Sequence, residues 1–320
     1  MPNKMETPNV FTAAVVQAAP VFFNKAQTVD KIQTLVTEAV KEKASLIVFP
    51  EVFIPGYPRG LIFGTTVGGR TPEGRELFLR YWENAIQVPG PETEIISRAA
   101  KQAKAWLVIG VTEKDKISDT LYCTLLYFSP EGQLIHKHRK LKPTAAERII
   151  WGEGDGTDLN VLDTPLGKVG GLICWENYMP LARTALYQQG IEIYVAPTAD
   201  CRETWQSTME HIACEGRCFV LGCNQYLTRE HYPEDLKAGL SETHPSLPSS
   251  GGSCIVSPLG KRLAGPLYNQ EGIITAEIDH REIIKAKMDF DPIGHYARPD
   301  VFELKVKGNT DLKINEPSTY

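Results

Sequence analysis

The chain has 320 residues, 42% of them apolar, so it can bury a full core as one large domain or two small ones, and disorder is not the reading. Its 34 basic and 39 acidic residues leave a formal charge of -5 with no long run of either sign, which argues against nucleic acid or a membrane surface as a partner recruited by bulk charge. Seven cysteines, an odd number in a chain too long to need disulfide staples, point to reduced thiols, and neither a signal-peptide stretch nor a window near roughly eighteen apolar residues is present, so a soluble cytoplasmic protein is expected.

In chain order, a β-branched run at Thr12 to Gln17 is followed by a helical pattern from Asn24 to Lys43 and a second run from Ser45 to Phe49. Val29, Ile32, Leu35, Val36, Ala39 and Val40 fall on one face of that helix, and Asn24 with Gln27 can cap its start. A further helix from Glu92 to Ala105 leads into the apolar strand Trp106 to Thr112. TLYCTLLYF and QLIHKH flank Pro130-Glu131-Gly132 and read as a hairpin. Beyond a long polar loop, Pro165-Leu166-Gly167 looks like a turn between two short strands, the second ending at Cys174. Helices from Pro180 to Gln189 and from Trp205 to Arg217 precede the strands IEIYVAP and CFVLGCNQ. Late strands at CIVS, RLAGP and IITAEID follow a polar loop from Thr228 to Gly252. No repeat or linker is visible, which implies one α/β or α+β domain with both parallel and antiparallel pairing. The last residues are polar and read as an extended tail or arm.

Chemistry concentrates at three places. Cys174, in GGLICWENYMP, ends a strand ahead of a helix, where an exposed thiol meets backbone N–H groups that lower its pKa and stabilise a developing anion. Glu51, in LIVFPEVFIPGYP, brings a carboxylate to the carboxyl edge of a strand, where partial desolvation raises its pKa and suits it to accept protons near neutral pH. The stretch IHKHRKLKPTAAER offers His136, Lys137, His138, Arg139, Lys140 and Lys142, among which spacing does not choose. Cys201, Cys214, Cys218, Cys223 and Cys254 read as ordinary thiols, and the run at 214, 218 and 223 lacks a zinc-type spacing.

The segments FPEVFIPGYP, HRKLKPTAAER, ICWENYMPLARTALYQQGIE and FDPIGHYARPDVF together resemble the nitrilase branch of the nitrilase/amidase superfamily, over about Phe11 to Leu304. The resemblance implies an α+β, four-layer αββα sandwich extended by dimerisation, with residues 1–304 as the hydrolase domain and 305–320 as a tail. It further implies Glu51, Lys140 and Cys174 as the catalytic residues, selecting Lys140 over Lys142, with Glu147 in support and no metal or organic cofactor. In the reaction it implies, Lys140 favours the thiolate of Cys174, which adds to a nitrile carbon. Glu51 relays protons through a thioimidate and a thioester, and Lys140 with the Trp175 backbone N–H holds the developing charge. Substrate-wall candidates are Tyr57, Trp82, Trp151, Trp175 and Trp205.

An amidase or carbamoylase of the same superfamily, or a nitrile-hydrating enzyme releasing amide, could use the same three residues, although WENYMPL favours the nitrilase branch. A papain-like pair with His211 or His295 lacks the matching segments. A non-catalytic filament protein is the most distant alternative. The apolar residues Met288, Phe290, Ile293, Tyr296, Val301 and Phe302 in a turn-rich segment need a partner surface, so a homodimer assembling into a larger oligomer or spiral is expected.

Overall fold

Alternation along the strands dictates how the layers stack. The computed structural model describes residues 10–237, 240 and 249–307. In β1 (Val10–Gln17), Ala13 and Val15 face one apolar cluster while Ala14 and Val16 face another, as a period of two requires. The same division holds in β2 (Ala44–Val48), where Leu46 and Val48 point opposite to Ile47.

Between these strands, α1 (Lys25–Lys41) starts where the sequence places its cap, with Asn24 Oδ1 accepting the Gln27 N–H at 3.0 Å. Next come α2 (Pro72–Asn84), α3 (Pro91–Ala103), and the strands β3 (Trp106–Lys114), β4 (Leu121–Phe128) and β5 (Leu134–Arg139), of which β4 and β5 form the expected hairpin. The second half supplies β6 (Leu162–Thr164), β7 (Gly167–Gly171), α4 (Pro180–Gln188), β8 (Ile193–Thr198), α5 (Thr204–Gly216), β9 (Phe219–Asn224), β10 (Ser249–Val256), β11 (Arg262–Tyr268), β12 (Gly272–Asp279) and α6 (His280–Ala286).

The strands form two mixed sheets. In the first the order is β12-β1-β2-β3-β4-β5, with β1, β2 and β3 parallel to one another and antiparallel neighbours on both sides. In the second, β7, β8 and β9 run parallel between antiparallel β6 and β10, and β11 adds to β10. One apolar cluster joins the sheets face to face through Val15, Val48, Val108 and Leu125 on one side and Val169, Val195, Leu221 and Ile255 on the other. A second lies between the first sheet and α1 and α3, and a third between the second sheet and α4 and α5. These three clusters separate four layers, helix, sheet, sheet, helix, in an α+β sandwich.

Three local readings change. Helix α2 carries only Gly74 and Tyr81 buried and so lacks the apolar stripe that marks a helix in sequence. Helix α6 is seven residues long, too short to display a period. The strand before the nucleophile stops at Gly171, and Cys174–Tyr178 is a 3-10 turn. Residues 308–320, most of the tail, lie outside the described residues, as do residues 238–239 and 241–248 of the polar loop.

Candidate active site

Glu51 follows the carboxyl end of β2 on a turn that lies directly against β3. Phe53 N–H donates to Gly110 O at 2.7 Å and Gly110 N–H to Pro50 O at 3.1 Å. A Cβ at position 110 would stand 2.5 Å from both Pro50 O and Val52 N, so glycine is needed there for so close an approach. Gln225 fastens the same turn from the second sheet, its Nε2 donating to Glu51 O at 2.6 Å. The Glu51 side chain is fully buried. Its Oε1 accepts from Lys140 Nζ at 2.7 Å and faces the Cys123 thiol at 3.6 Å, while Oε2 accepts the Ala199 N–H at 2.9 Å.

Lys140 directly follows β5, with its N–H donated to Cys123 O at 2.8 Å. The ammonium is fully buried and also donates to Glu147 Oε2 at 2.7 Å. That oxygen accepts the Thr144 N–H at 2.7 Å, and Oε1 accepts the Tyr57 hydroxyl at 2.7 Å. Lys142, the rival in the sequence, points outward to an exposed pair with Glu153.

Cys174 opens its 3-10 turn with φ at +51°, a left-handed conformation that an L side chain adopts at a cost of roughly 1–2 kcal/mol. The turn is held by Asn177, whose Nδ2 donates to Leu172 O at 3.0 Å and Cys174 O at 2.7 Å. Tyr194 and Arg183 in turn fix Asn177, at 2.8 Å and 2.7 Å. The thiol is buried, not exposed as the sequence suggests, and Thr198 Oγ1 donates to its sulfur at 3.1 Å. Thr198 Oγ1 also accepts the Asp200 N–H at 2.9 Å.

Burial is the largest influence on all three groups. It raises Glu51 above the usual carboxylate range against the pull of Lys140. On Lys140 it acts to remove the charge, but Glu51, then Cys174 and Glu147, overrule it and hold the ammonium firmly protonated. For Cys174, burial followed by the Glu51 carboxylate pushes the thiol well up and outweighs Lys140. Burial and the Glu51 carboxylate thus oppose the thiolate that Lys140 and the backbone were expected to favour, and Glu51 is the neighbouring base placed to take the thiol's proton. Glu51, Cys174 and Lys140 stand together, buried between the two sheets.

The aromatic candidates divide. Tyr57 touches Glu147 directly, and Trp151 is buried beside it with ring centroids 5.7 Å apart. Trp175, next to the nucleophile, has its side chain partly exposed, its Nε1 donating to Asp200 Oδ2 at 2.9 Å beneath the Arg202 guanidinium. Trp82 lies under Lys114, and Trp205 is buried in the outer helix-sheet cluster, so both are engaged in packing. His211 is an exposed partner of Glu215 on α5, and His295 is exposed beside Tyr296.

Sequence reasoning missed Thr198, Cys123, and a buried acid-base-acid chain of Asp158, His138 and Glu176. The only signal for the last is an acid two residues past Cys174, a position from which a carboxylate reaches back to the turn's first N–H groups. His138 Nδ1 meets Asp158 Oδ1 at 2.9 Å and Nε2 meets both oxygens of Glu176 at 3.1 Å. Burial alone would neutralise the imidazole, but Glu176 and Asp158 on either side lift it to about 10, so it is a cation at neutral pH.

A four-layer sandwich with a buried cysteine, lysine and two glutamates between its sheets defines a class of carbon-nitrogen bond hydrolases. The carbon-nitrogen hydrolase family pattern matches residues 12–288. An aliphatic nitrilase of Sinorhizobium fredii is 53% identical, covering 92% of this chain and 95% of its own, and the bifunctional nitrilase/nitrile hydratase NIT4B of Nicotiana tabacum is 50% identical, covering 100% and 92%. Among solved structures, Saccharomyces cerevisiae Nit3, a member of branch 10 of the nitrilase superfamily, shares the fold with a TM-score of 0.71 at 24% identity, covering 92% of this chain and 97% of its own. The chain belongs to the carbon-nitrogen hydrolase family, and within it to the nitrilase branch. Among the described residues no helix is long and apolar enough to cross a membrane.

Proposed function

We propose that this enzyme hydrolyses an organic nitrile to the carboxylic acid and ammonia through a covalent intermediate on Cys174. The observation that carries the reading is that one buried carboxylate, Glu51, is hydrogen-bonded to both the Lys140 ammonium and the Cys174 thiol. Glu51 accepts the Cys174 proton as sulfur adds to the nitrile carbon, then delivers it to the nitrile nitrogen, giving a neutral thioimidate. Water adds next, losing a proton to Glu51, which passes it to nitrogen. Carbon-nitrogen cleavage then releases ammonia and leaves a thioester. A second water, again deprotonated by Glu51, displaces the sulfur, which regains its proton as the acid departs. Lys140 and the N–H of Trp175, an orphan donor by its place in the first turn, face the charge that builds in each tetrahedral state. Glu147 keeps the lysine oriented, and Tyr57 and Trp151 form the near wall of the substrate pocket.

If sulfur instead of ammonia leaves the first tetrahedral intermediate, the product is the amide. The tobacco relative, a bifunctional nitrilase/nitrile hydratase, favours a share of this outcome. Ammonia, acid and amide measured separately across a panel of aliphatic, arylaliphatic, aromatic and amino-acid nitriles test the reading. Turnover of nitriles with acid as the main product supports it, and turnover confined to amides would replace it with an amidase.

The same proposal treats residues 1–304 as one hydrolase domain with a tail at 305–320, places it in the cytoplasm, where its free cysteines would stay reduced, and makes it a homodimer that extends into a larger assembly. Support for assembly comes from Met288, Tyr296, Val301 and Phe302, all exposed beyond α6.

A further inference from the structure

Glu176 joins the two halves of the site through its backbone neighbours. Its Oε1 accepts the Leu141 N–H and its Oε2 the Ile173 N–H, each at 2.6 Å. Leu141 directly follows Lys140 on the first sheet's side, and Ile173 directly precedes Cys174 on the second's. One buried carboxylate therefore spans the lysine and the nucleophile, both oxygens already occupied by backbone donors. His138 sits symmetrically on both oxygens, so it neither favours one bond nor competes with either. Behind it, Asp158 Oδ1 holds the other ring nitrogen and Oδ2 accepts the Arg139 N–H at 2.8 Å, so the imidazole is tied to the strand that ends one residue before Lys140.

Geometry rules out substitutes for this carboxylate. An amide at position 176 would set its NH2 against the N–H of either Leu141 or Ile173, leaving one donor facing another at a buried position. We propose that Glu176, oriented by His138, is a positioning residue that fixes the distance between the Lys140 ammonium and the Cys174 sulfur, and so governs the chemical step without touching substrate. This rests on the nitrilase reading for its reaction but not for its geometry, because the brace exists whatever substrate enters.

The test compares wild type, Glu176→Gln, His138→Gln and the double variant in kcat, KM, and the rate of Cys174 alkylation by iodoacetamide, per mole of protein shown folded by circular dichroism. A displacement of about 1 Å in reacting groups costs about a hundredfold, so Glu176→Gln should lose about that much in kcat with KM changed by less than about threefold. His138→Gln, which leaves both backbone bonds in place, should lose about tenfold. Because both act through one contact, the double variant should fall no further than Glu176→Gln alone. Alkylation should slow in the same order. If Glu176→Gln does not fold, His138→Gln carries the test through its kcat loss at unchanged KM and its slowed alkylation. A folded variant with wild-type kcat and alkylation, or losses that multiply in the double variant, would overturn the brace. Absence of nitrile turnover by wild type would instead overturn the proposed reaction, while the alkylation rates would still decide on the brace.

Discussion

At the scale of single residues, the difference between Lys140 and Lys142 illustrates what burial adds to charge. Lys140 is sealed between two carboxylates, whereas Lys142 is half exposed and paired with an exposed glutamate, a contact worth roughly 0–1 kcal/mol. Lys140→Ala removes an oxyanion donor, itself worth on the order of a hundred- to a thousandfold, and leaves Glu51 and Glu147 facing each other. We expect kcat to fall by at least that factor, with Lys142→Ala near wild type, as steady-state kinetics on the best nitrile will show. Equal losses would mean that the loop acts as a whole. Tyr57→Phe offers a milder perturbation, since it removes one of three hydrogen bonds to the Glu147 carboxylate and leaves those from the Thr144 N–H and Lys140 in place. A loss of about tenfold or less in kcat is expected, in line with one neutral hydrogen bond to a charged group; no loss would exclude Tyr57 from orienting the lysine.

Elements were legible where packing imposes a period and opaque where it does not. The apolar, β-branched runs of β1, β2 and β8 and the apolar stripe of α1 are visible in the residues themselves, and so are the placements of Glu51 and Cys174 just past a strand. The choice of Lys140 came only with the family resemblance, because alternating basic residues look alike until the fold decides which one is enclosed. Thr198, Cys123 and the His138 chain were hidden for another reason: each meets its partner on a strand or loop distant in sequence, and no local pattern records such a meeting. The His138 chain also gives the strand-and-turn unit around it a pH signature. Folding raises the imidazole from 6.5 to about 10 between Asp158 and Glu176, with His136 close by, so the folded protein keeps a proton that the unfolded chain releases. Its contribution to stability is complete below pH 6.5 and is lost as pH rises through about 10. Unfolding free energies of wild type and His138→Gln from urea titrations should therefore differ most near pH 6, by a few kcal/mol, with about 1.4 kcal/mol at stake per unit of pKa difference, and converge toward pH 10. A gap that is constant, or that widens with pH, would contradict the buried cation.

For the whole molecule, the site lies between two sheets of one subunit, yet the chain beyond α6 leaves Met288 and Phe302 exposed at 86% and 78% while Leu304 and Val306 pack on the outer helix-sheet cluster. Part of the arm thus lies on its own subunit and part presents apolar side chains outward. Light scattering of the full chain should give a dimer or larger, and a truncation ending at Lys287 should lose both assembly and turnover; an active full-length monomer would refute the interface. The claim on which the rest depends is covalent catalysis by Cys174. It is tested most directly by quenching the enzyme with acid during nitrile turnover and mapping the trapped adduct by mass spectrometry. The account predicts a substrate-derived thioimidate or acyl group on Cys174 alone, with neither adduct nor ammonia from Cys174→Ala. Sustained turnover by that variant, or an adduct mapped to Cys123, Cys201 or Cys223, would contradict it.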